Sequence, residues 1–254
     1  VGGAKLLIEA GVLENPPVDA IFGLHVDPNI EVGKVGLHYG QRNASSDDLE
    51  IIVHGNAAHG AYAFEGVDAI VAAAHVITSL QTIVSRNVDP REAAVVSLGT
   101  ISGGTQANIV ANRVEVVGTV RCLNQTTRQS VLQRVKETAE AVALGMGARA
   151  EVTIRPSYEP VVNDDSMMDI IRENPTRLLG DDAVVVFPKP NMGVEDFGFY
   201  LSEVPGAFYS VGVRNEAAGV VYPVHHGRFD VDEGSMAIGV AQQVLNALKV
   251  LTPC

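Results

Sequence analysis

The chain has 254 residues, 46% of them hydrophobic and 19% charged, a globular composition long enough for one large domain or two ordinary ones. A net charge of −12 without a basic stripe disfavours a nucleic-acid partner, because phosphate binding needs clustered Lys and Arg. No apolar run approaches the roughly 18 residues of a membrane span, no signal peptide opens the chain, and Cys122 and Cys254 give neither a disulfide framework nor a metal spacing. A reduced, cytoplasmic location away from membranes is the expectation.

The chain opens without Met and passes directly into an amphipathic helix, 4-AKLLIEAGVLE-14. With no N-cap residue and no lead-in, it reads as the cut end of something longer. After Asn15-Pro16-Pro17 comes 18-VDAIFGLHV-26, almost wholly apolar, as expected of a parallel strand covered on both faces. It ends at His25. A second extended segment follows at 31-EVGKVGLHYG-40.

From about residue 46 the style changes. Strand 48–54 is followed by a helix over 67–86, with Ile70, Ala74, Ile77, Leu80 and Val84 at helical spacing. Strands at 93–101 and 113–121, a helix over 126–145 and a strand at 149–154 complete the order β-α-β-β-α-β. That order predicts a ferredoxin-like α+β module over 46–154. After the Pro-marked loop 155–164 the α/β style returns. A helix is expected at 165–179, strands at 183–187, 206–213 and 220–225, and a last helix at 233–250. The fold class is therefore α/β: a mixed sheet with flanking helices, built from 1–45 and 155–254 and interrupted by the inserted module.

Seven histidines are the main chemical signal. His25 ends one predicted strand and His225 another about 200 residues later, and open α/β sheets place ligands at strand ends. A shared metal site and two separate structural histidines fit that placement equally. Strand alternation points His225 inward and His226 to the opposite face. His59 lies in the small-residue loop 55-GNAAHGAYAF-64, where a functional histidine and a solvated one are equally at home. His38, His54 and His75 read as surface positions. Two imidazoles fall short of the three or four ligands of a zinc-type site. Glu195 and Asp196 are candidate acids, although such a loop pair is most often simply solvated.

Motifs in order along the whole chain carry a resemblance. They include 2-GGAKLLIEAGVLE-14, 22-FGLHVDP-28, 55-GNAAHGA-61, 103-GGTQANIVAN-112, 118-GTVR-121, 193-GVEDF-197, 205-PGAFYSVG-212 and 224-VHHGRFDVDE-233. With these the chain resembles the metal-dependent aminoacylase/carboxypeptidase family, in its N-acyl-amino-acid amidohydrolase branch, which includes hippurate hydrolases. The resemblance implies a catalytic α/β domain holding two divalent metal ions (Zn, Mn, Co or Ni), and a ferredoxin-like lid that also dimerises. It implies hydrolysis of the amide bond of N-acyl amino acids, with dipeptidase or carboxypeptidase action, or a non-catalytic dimerising fragment, as alternatives. It places metal ligands on His25 and His225, an oxyanion-stabilising histidine on His59, reaching the partner subunit's site, and a substrate-binding pair on Asn108 and Arg121. Two departures stand out. Ala63-Phe64 replaces the family's Pro-His, and the family's Cys-x-His and Glu-Glu motifs lie upstream of the Gly-Gly-Ala-Lys segment. On that count the chain alone is expected to bind metal weakly and to be inactive.

Overall fold

Three helices begin where a side chain caps them. Asp68, Asn124 and Asp164 each accept hydrogen bonds from two amides of the following turn, filling donors that a helix start otherwise leaves unpaired. The computed structural model describes residues 2–252, so Cys254 lies outside the described residues. In chain order the first elements are α1 (Gly3–Glu9), β1 (Ile21–Glu31), β2 (Val35–Leu37) and β3 (Gln41–Asn43). Next come β4 (Ser46–His54), α2 (Ala69–Asn87), β5 (Ala94–Gly103), β6 (Arg113–Cys122), α3 (Gln125–Gly145) and β7 (Arg149–Tyr158). The chain finishes with β8 (Val161–Val162), α4 (Asp165–Leu179), β9 (Val184–Val186), α5 (Gly198–Leu201), β10 (Gly206–Arg214) and α6 (Gly234–Leu251).

These elements form two units. One comprises the segments up to Asn43 and from Val161, and the other is Ala44–Pro160. The first holds a mixed sheet in the order β1-β10-β2-β9, with β1 parallel to β10, β10 antiparallel to β2 and β2 parallel to β9. Its core packs Leu37, Met168, Ile171, Tyr209 and Val211. The expected strand at 18–26 is shifted to 21–31, so His25 lies mid-strand. Among the described residues that strand lies at the edge of the sheet and is half-exposed along much of its length, where the sequence suggested cover on both faces. The α6 helix buries Ser235, Gly239, Gln242 and Asn246, while Met236, Val240, Val244 and Leu248 are exposed.

The second unit has the expected β-α-β-β-α-β order, and its sheet runs β5-β6-β4-β7, antiparallel throughout. On β4 the buried Leu49, Ile51 and Val53 alternate with Glu50, Ile52 and His54, the period-2 signature of a sheet with one packed face. That face meets α2 and α3 through Ala72, Val76, Leu80, Val131, Val135 and Ala139. Contrary to the expectation drawn from apolar runs, α2 is long and apolar enough to cross a membrane by length and composition. Ala69, Ala72, Ala73, Val76, Leu80 and Ile83 are nonetheless buried in this unit's core. The boundaries fall at 43/44 and 160/161, not at 45/46 and 154/155. The reason is that β7 continues to Tyr158, which pairs with Ser46.

Candidate active site

Within the α/β unit, His25 stands opposite Ser210 in the β1–β10 ladder and projects from an exposed position. Its Nδ1 lies 2.7 Å from the Val26 carbonyl. A carbonyl only accepts, so Nδ1 carries the proton and a neutral ring leaves Nε2 as a lone-pair donor, the tautomer a metal ligand needs.

His225 reaches the same cleft by a different route. The expected strand at 220–225 is absent. Val220 makes one isolated bridge to Asn215, and residues 224–228 form turns. Pro223 has no N–H for a ladder, and its carbonyl accepts from His226 N instead. His225 takes φ +66°, the only positive φ of a non-glycine among the described residues. His226 leaves this path and stacks on Tyr222, with ring centroids 4.7 Å apart and planes 11° apart. Its Nδ1 accepts from Arg228 N. The two neighbouring histidines thus separate by a left-handed turn, not by strand alternation.

His25 and His225, about 200 residues apart in sequence, line one cleft of about 230 Å³ with Asp27, Arg42, Asn43 and Glu195. The acid pair divides its labour. Asp196 Oδ2 accepts from Ala4 N at the start of α1, a structural cap, while Glu195 faces the cleft and accepts from Asp196 N. Arg42, which sequence reasoning passed over, is nearly buried beside them, at 9% exposure. Burial pushes its guanidinium down to about 10, against the opposing pull of Glu195 and Asp27. Nearby, His38 stacks on Phe187, and burial first and Arg42 second push its imidazole down to about 4.

In the Ala44–Pro160 unit, the loop after β4 and the loop between β5 and β6 zip together. Gly60 N donates to Asn108 O at 2.7 Å, Val110 N donates to Ala58 O, and His59 bridges Ile109. A Cβ on residue 60 would sit 3.0 Å from that Asn108 oxygen, so glycine permits the approach. His59 and Asn108 are therefore neighbours. His59 Nδ1 accepts from Ala61 N, which leaves Nε2–H as a donor in the neutral ring. Tyr62 lies 5.7 Å from the imidazole, and Phe64, at the departure from the family pattern, is exposed. Arg121 is elsewhere. It is half-buried opposite Val95, eight positions along β6 from Arg113, which pairs with His54 at the His59 end. Eight strand residues span about 26 Å. One copy of this unit does not bring Arg121 to Asn108.

The description "Peptidase family M20/M25/M40" matches residues 1–247. The chain belongs to this family. Similar proteins include a probable hydrolase of Synechocystis sp., 38% identical over 94% of this chain and 60% of its own length. An N-acetylcysteine deacetylase of Bacillus subtilis is 36% identical over 98% and 62%. A solved dinuclear metal-binding M20 peptidase of B. subtilis superposes with a TM-score of 0.81 at 31% identity, over 98% of this chain and 61% of that one. The chain thus spans about three fifths of the length of the relatives it matches.

The donor types in the cleft, two imidazoles and two carboxylates, suit a divalent ion. Their arrangement does not complete one: among the described residues no three His, Cys, Asp or Glu side chains lie close enough together to hold an ion.

Proposed function

We propose that this M20 chain belongs to a metal-dependent amidohydrolase that cleaves the amide bond of N-acyl amino acids. The observation carrying this reading is that His25 and His225, from distant segments, line one cleft with Glu195. In this reading the two histidines hold divalent ions together with further donors beyond those described, and the ions supply Lewis acidity toward the amide carbonyl and water. Glu195 adds a carboxylate at the same edge. His59, with Nε2–H free to donate, stabilises the oxyanion that forms when the carbonyl is attacked. The separation of Arg121 from His59 and Asn108 along β6 favours a site completed across a homodimer, with the Ala44–Pro160 unit as lid and dimerisation element. Asn108 accompanies His59 into one site, and Arg121 takes a substrate carboxylate in the other.

The test is hydrolysis of N-acetyl and N-benzoyl amino acids with Mn, Zn, Co or Ni added, beside isothermal titration of those ions. Divalent-ion binding that is lost in His25→Ala and His225→Ala supports the site. Equal binding by wild type and both variants removes it.

A further inference from the structure

We propose that Arg42 is an anion-binding residue of the cleft and that its ligand is a carboxylate group. This goes beyond the hydrolytic reading, because anion binding needs no turnover. Arg42 lines the cleft at 9% exposure, with Cζ 4.3 Å from the centroid of the Phe208 ring. Nη1 donates to Asn43 Oδ1 and Nη2 to Ser210 Oγ at 3.0 Å. Both acceptors are neutral. Nε–H is buried and has no acceptor, and each Nη keeps one further N–H. None of the ion pairs among the described residues includes Arg42. A buried guanidinium with unused donors and no direct ion pair is costly, and an arriving anion would relieve that cost.

The cleft's own carboxylates attract the guanidinium through space, but neither forms an ion pair or hydrogen bond with it among those of the described residues. Asp27 Oδ1 accepts from Asn29 N and Asn29 Nδ2, and Glu195 Oε1 accepts from Asp196 N. These two acids also select the ligand. They repel a dianion more than a monoanion, so although the guanidinium fork fits either group, the cleft's charge favours a carboxylate over a phosphate. Arg42 is the one Arg or Lys among the described residues lining the cleft. The carboxylate could come from a released acyl acid or from an amino acid.

The experiment is calorimetric titration of the whole chain with benzoate, glycine and inorganic phosphate, with a chelator present to remove metal ions. Saturable benzoate or glycine binding is expected, weakened at least tenfold in Arg42→Met and less in Arg42→Lys, with phosphate weaker than either. Benzoate binding tighter than glycine assigns the acid side, and the reverse order assigns the amino-acid side. Should Arg42→Met fail to fold, Glu195→Gln decides: removing a like charge tightens carboxylate binding if Arg42 is the receptor. No saturable carboxylate binding, equal binding by wild type and a folded Arg42→Met, no change in Glu195→Gln, or phosphate binding as tight as benzoate would overturn the assignment.

Discussion

At φ +66°, His225 holds a backbone in which Cβ crowds the following carbonyl, at a cost of about 1–2 kcal/mol for an L-residue. His225→Gly should therefore leave stability unchanged or raise it by up to about 1 kcal/mol. His225→Val, β-branched, should lose about 1–3 kcal/mol. Urea denaturation measures both, and a valine variant as stable as wild type would show that the turn is not strained. His38 gives a second test at this scale. Its imidazole titrates near 6.5 when unfolded and is pushed down to about 4 in the fold. The unfolded chain then binds the extra proton between those values, so the contribution of His38 is complete above about pH 6.5 and is lost as the pH falls toward 4. Melting temperatures of His38→Phe should fall less steeply across that window than those of wild type. Parallel curves would count against a buried, neutral His38.

Among the elements, α3 is tied to β4 by a buried ion pair. Arg128 donates through Nε and Nη2 to both oxygens of Asp47, which is wholly buried, and through Nη1 to Glu159. Arg128→Met leaves that carboxylate buried without a partner and should cost about 3–5 kcal/mol. Adding Asp47→Asn should restore part of the loss, and a double variant no better than the single would show the two residues to be uncoupled. How far such elements could be read beforehand depends on where their contacts lie. The helices α2, α3 and α4 and the strands of the inserted unit were legible because spacing, caps and alternation are local signals. The edge strand β1 and the turn at His225 were not. Run 220-VVYPV-224 has strand composition, but Pro223 lacks a donor and its neighbours bond to a turn, which no window of sequence displays. The site was legible only in part. The two cleft histidines came from their place in the chain and from the resemblance. Arg42 in 40-GQRNAS-45 gave no sign that it would be buried, and the distance between Asn108 and Arg121 needed the register of β6.

For the whole molecule, the inserted unit closes on itself. Ser46 at the start of β4 pairs with Tyr158 at the end of β7, and the core between its sheet and helices draws only on its own residues. Residues 44–160 expressed alone should unfold cooperatively in urea, and a gradual, non-cooperative transition would show that the unit depends on the rest of the chain. The α/β unit is the opposite case, since β1 must find β10 across an interval of some 180 residues that contains the insert. Once the insert has folded, its adjoining ends shorten that interval to roughly 65 residues of free chain, a saving of about 1 kcal/mol in closure entropy on a logarithmic scale. The saving is small, yet it sets an order in time: the insert should become native first and act as a clasp for the two pieces of this chain that flank it. In pulse-labelled hydrogen exchange during refolding, amides of β4, β6 and β7 should gain protection ahead of those where β1 meets β10, and the reverse order would show that the flanking pieces find each other unaided.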